Sequence, residues 1–80
     1  MNPDHLAKEA ARLKSDPIFN KALDDIRVDE IEALVVANVD DKTAILRHQQ
    51  MVLAIDEIRN VLDRYIMAAD VQDDPTGSYA

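Results

Sequence analysis

The 80-residue chain has no cysteine, a single glycine (Gly77) and three prolines, Pro3, Pro17 and Pro75. Each shortage excludes something. Without cysteine there are no disulfides and no thiolate metal sites, and no oxidising compartment is implied. With so few turn formers the chain cannot build the tight hairpins of a β-protein. No stretch approaches the ~18 consecutive apolar residues of a membrane span, and no basic segment followed by an apolar run marks a secretory signal. Neither membrane spanning nor secretion is therefore expected, and the expected setting is cytoplasm (of a host cell) or a virion. Basic surplus is missing too. The net charge of −7 suits solubility and is poorly matched to holding phosphate backbones.

What the sequence does contain is helical: aspartate, alanine and leucine are abundant. Asn2 can cap a first helix with Pro3 at its first position and Asp4 in its first turn, and Leu6, Ala10 and Leu13 recur at i, i+4, i+7. Ser15-Asp16-Pro17 repeats the start signal. Proline pushes Asp16 out of helical geometry and then fits the first turn of a new helix, so helix 1 should end near Lys14 and helix 2 begin at Pro17. Helix 2 is expected to reach about Asn38 with two apolar stripes. One runs through Phe19, Ala22, Leu23 and Ile26, the other through Val28, Ile31, Leu34 and Val35, and Glu30 interrupts the line of the first.

After a break at Val39-Asp40-Asp41, with Asp40 as the expected cap, helix 3 should occupy about residues 41–69. Ala44, His48, Met51, Ile55, Ile58, Leu62, Tyr65 and Ala69 follow a 4-3-4-3 spacing, a heptad seam. Apolar flanks widen it beyond half the circumference, which implies a sandwiched helix. Leu46 and Leu53 lie outside even that arc, with Met67 nearby. The expected fold is thus all-α, a short N-terminal helix plus a long antiparallel helical hairpin forming a small three-helix bundle. One domain covers residues 1–69, and residues 70–80 form an acidic tail expected to be disordered alone and to make contact through Tyr79.

Chemistry is scarce. Ser15 and Thr43 sit where helix starts explain them, and no histidine is spaced to activate a nucleophile. Asp24, Asp25, Asp29 and Glu32 share an arc of helix 2 with Lys21 and read as a solvated face. His5 and Glu9 stand at i, i+4, but no third or fourth ligand completes a zinc site. His48 in the seam reads as a polar residue that fixes register or oligomeric state. No phosphate loop or dinucleotide fingerprint is present. Helix 2 is too acidic to be a DNA-recognition helix. No catalytic residue, metal or cofactor is expected, so the protein is read as a non-enzyme.

The run Leu13-Lys14-Ser15-Asp16-Pro17-Ile18-Phe19-Asn20-Lys21-Ala22-Leu23, with Asp56-Glu57-Ile58-Arg59 in the last helix, resembles short helical proteins of tailed phages and prophages, from the head and packaging gene block. The likeness spans roughly residues 7–66. It implies a virion or virion-assembly role and assigns no functional residues. Small terminase subunits share the size but carry a basic DNA-binding helix that this chain lacks.

The function expected from these features is a self-associating interaction protein whose partners are itself and another protein, capsid or host. Val28, Ile31, Val35, Leu46, Leu53 and Met67 are the expected interface, because burying each leucine or valine is worth ~1.5–3 kcal/mol. The alternatives are an inhibitor that grips a host protein through its acidic surface, and a helical oligomer with a small-ligand pocket between subunits.

Overall fold

The computed structural model describes residues 1–73, and side chains through Ala69. The described residues are all-α, with three helices: α1 (Pro3–Lys14), α2 (Pro17–Val36) and α3 (Lys42–Asp73). Tyr79 and the last part of the expected tail lie outside the described residues.

The helix boundaries follow from local chemistry. Asn2 accepts the His5 backbone N–H at 2.7 Å, with Pro3 at the first helical position. At the α1–α2 break, Asp16 takes an extended conformation and its carboxylate accepts the backbone N–H groups of Ile18 and Phe19, at 2.8 and 2.9 Å. The Asn20 side chain ties the same corner by donating to the carbonyl oxygens of Lys14 and Asp16. Ser15 therefore closes α1 and does not cap α2.

Three boundaries differ from expectation. α2 stops at Val36, two residues before Asn38, because Ala37 turns extended at ψ 142°. Asp41 caps α3 in place of Asp40, accepting the Ala44 N–H at 3.1 Å. Asp40 is occupied inside the turn, where its own N–H donates to the Asn38 side chain at 2.8 Å. α3 runs past the expected end at 69 and is helical through Asp73, the last described residue, since no proline or glycine interrupts it there.

Packing is organised by α3. Both α1 and α2 lie along it and scarcely touch each other. The cross-links fix the direction: Glu30 meets His48, Arg27 meets Asp56, Asp24 meets Arg59 and Lys14 meets Asp63, so the α3 partner moves up the helix as the first residue moves down the chain. α1 and α2 thus follow one another antiparallel along α3, α2 on its first half and α1 on its second. The result is long, with extents of 58 × 27 × 20 Å. The seating of α1 uses small side chains, since Ala10 and Ala69 are both buried and alanines let helix backbones approach closely.

The core is correspondingly thin: Ala10, Leu23, Ile55, Leu62 and Ala69 are its buried apolar members among the described residues. α3 is not sandwiched within one chain, because its two neighbours occupy the same side of it in succession.

Candidate interaction surface

The seam of α3 is buried unequally. Ile55, Leu62 and Ala69 are 4, 8 and 4% exposed, whereas Met51, Ile58 and Tyr65 are 40, 40 and 39% exposed. In a simple two-helix coiled coil both sets of seam positions insert into the partner. Here only one set does. At about 100° per residue, Met51, Ile58 and Tyr65 lie rotated to one side of the buried line, and Ala54, Val61 and Ala68 continue the apolar arc further the same way. On α2 the matching position is Ile26, also 40% exposed, rotated to the same side of the buried Leu23. These residues form a strip along both helices.

Charge is sorted to the other side. Arg27 Nε donates to Asp56 Oδ1 at 2.9 Å and its Nη2 to Oδ2 at 3.4 Å. Arg59 Nη2 donates to Asp24 Oδ1 at 2.6 Å and to the Asn20 carbonyl oxygen at 3.4 Å. Lys14 pairs with Asp63. By the same helical rotation, all six of these side chains fall on the face opposite the apolar strip. The guanidinium of Arg27 is held protonated more firmly than usual, through its hydrogen bond to Asp56 first and the attraction of that carboxylate second. These pairs are partly exposed, so each adds little to stability. Their position matters more than their strength, because they leave the strip nearly free of ions. Within about 100° of the buried lines on that side, the described side chains of α2 and α3 include only two charged ones, Glu30, which His48 engages, and Arg47.

The six residues expected at an interface are all exposed, yet they do not lie on this strip. Val28, Ile31 and Val35 share the ion-pair side of α2, and Leu46, Leu53 and Met67 lie on the ion-pair side or the back of α3. Leu53 alone among them lines a shallow hollow of about 260 Å³, with Leu34, Gln49 and Val52. The strip residues escaped sequence reasoning because Ile26, Met51, Ile58 and Tyr65 read as core. The signal that could have found them is the apolar run through Ala54, Val61 and Ala68, which widens the seam on one side only.

Other candidates are dispersed. His5 is exposed, and its neighbour Glu9 pairs instead with Arg12 Nε at 2.7 Å. That hydrogen bond, and next the charge of Arg12, hold the Glu9 carboxyl below its usual range. No group of three or more histidine, cysteine or acidic side chains that could hold a metal occurs among the described residues. No helix among them is long and apolar enough to cross a membrane. The described residues define an all-α fold two helices thick, with exposed apolar side chains on both faces and the interhelix ion pairs on one of them. No family model, curated protein or solved structure matches the chain.

Proposed function

We propose that this chain is a non-enzymatic helical interaction protein that works by covering its apolar strip with another protein surface. The observation that carries the reading is the half-open seam: Ile26, Met51, Ile58 and Tyr65 present partly exposed apolar surface along two adjacent helices, with the ion pairs on the opposite face. Such a surface suits helix-on-helix docking, in which knobs at heptad spacing fill holes on a partner. For its biological setting, the resemblance carried by Leu13 to Leu23 favours a phage or prophage protein acting in the virion or its assembly. The acidic surface supports the alternative of an inhibitor of a host protein less well, because several of its carboxylates are already engaged by Arg27, Arg59, Lys14 and Lys21.

The test compares tagged parent protein with the Ile58→Glu variant, each recovered from the cells that carry the gene, with bound proteins identified by mass. A stoichiometric partner, this chain or another, should be held by the parent and lost by the variant. Equal recovery of the same partners by both would remove the strip from the function.

A further inference from the structure

We draw no further inference here: the strongest candidate, the shallow apolar hollow between α2 and the first half of α3 lined by Leu34, Gln49, Val52 and Leu53, is an open face, and nothing in the structure shows what covers it.

Discussion

Nδ1 of His48 on α3 lies 2.5 Å from a carboxylate oxygen of Glu30 on α2, and both side chains are largely withdrawn from water. Each interrupts an apolar line of its own helix, and each is the reason the other is tolerated there. The carboxylate can only accept, so the imidazole Nδ1 carries the proton that joins them. Replacing Glu30 by alanine should cost about 1–3 kcal/mol, because it leaves a half-buried imidazole donor without its acceptor. Glu30→Leu/His48→Leu should recover most or all of that, since apolar pairs often replace ionic ones at no loss. Urea titrations of both variants check the sign. A double variant less stable than Glu30→Ala would show that the pair contributes more than mutual satisfaction.

Asp16 holds the α1–α2 corner through two backbone N–H groups. Asp16→Ala should lower stability by about 1 kcal/mol, the usual value of a good N-cap. Pro17→Ala should leave the corner in place, because the cap and the Asn20 bonds remain. Backbone chemical shifts through residues 12–20 measure both outcomes, and continuous helix in the parent protein would contradict the break.

Ala10 is buried where α1 meets α3. Ala10→Leu should destabilise the protein by about 1–3 kcal/mol, as overpacked sites commonly do. The loss should be concentrated in α1. Amide hydrogen exchange should show faster exchange in residues 3–14 and little change around Leu23 and Ile55.

Acid should loosen the outer face of α1. The Glu9 carboxyl is held below its ordinary value of 4.5 by Arg12, so its contribution is present above the unfolded value and is lost as pH falls through the folded one. Glu9→Gln should remove that part of the acid response and leave the remainder. The check is the helical signal of parent and variant followed between pH 6 and about pH 2.

Much of the fold is legible in the sequence, for local reasons. Asn2-Pro3 and Asp16-Pro17 mark helix starts because capping and proline geometry act over a few residues. The order of three helices and the antiparallel hairpin follow from the same signals and the unbroken seam of α3. Boundaries slipped where two residues compete for one role: Asp40 and Asp41 are both good caps, and the Asn38 side chain decides between them by engaging Asp40. The surface was legible only in part. Its residues, Met51, Ile58 and Tyr65, were visible as a seam, but sequence alone does not say how many neighbours share that seam. Placing α1 beyond α2 along α3, and not opposite it, leaves half of the seam open. Glu30 and His48 show the reverse case, two separate irregularities in the sequence that become one contact in space.

The succession of α1 and α2 along α3 also sets an order of assembly. Arg27 and Asp56 are separated by 29 positions, while Lys14 and Asp63 are separated by 49. The α2–α3 hairpin closes the shorter loop, and α1 must wait for the far end of the chain before it has a surface to lie on. During synthesis the first helix made is therefore the last to be housed. The same asymmetry operates in the finished molecule. Because α1 meets α3 and scarcely meets α2, its loss from the end of α3 should leave the α2–α3 hairpin in place.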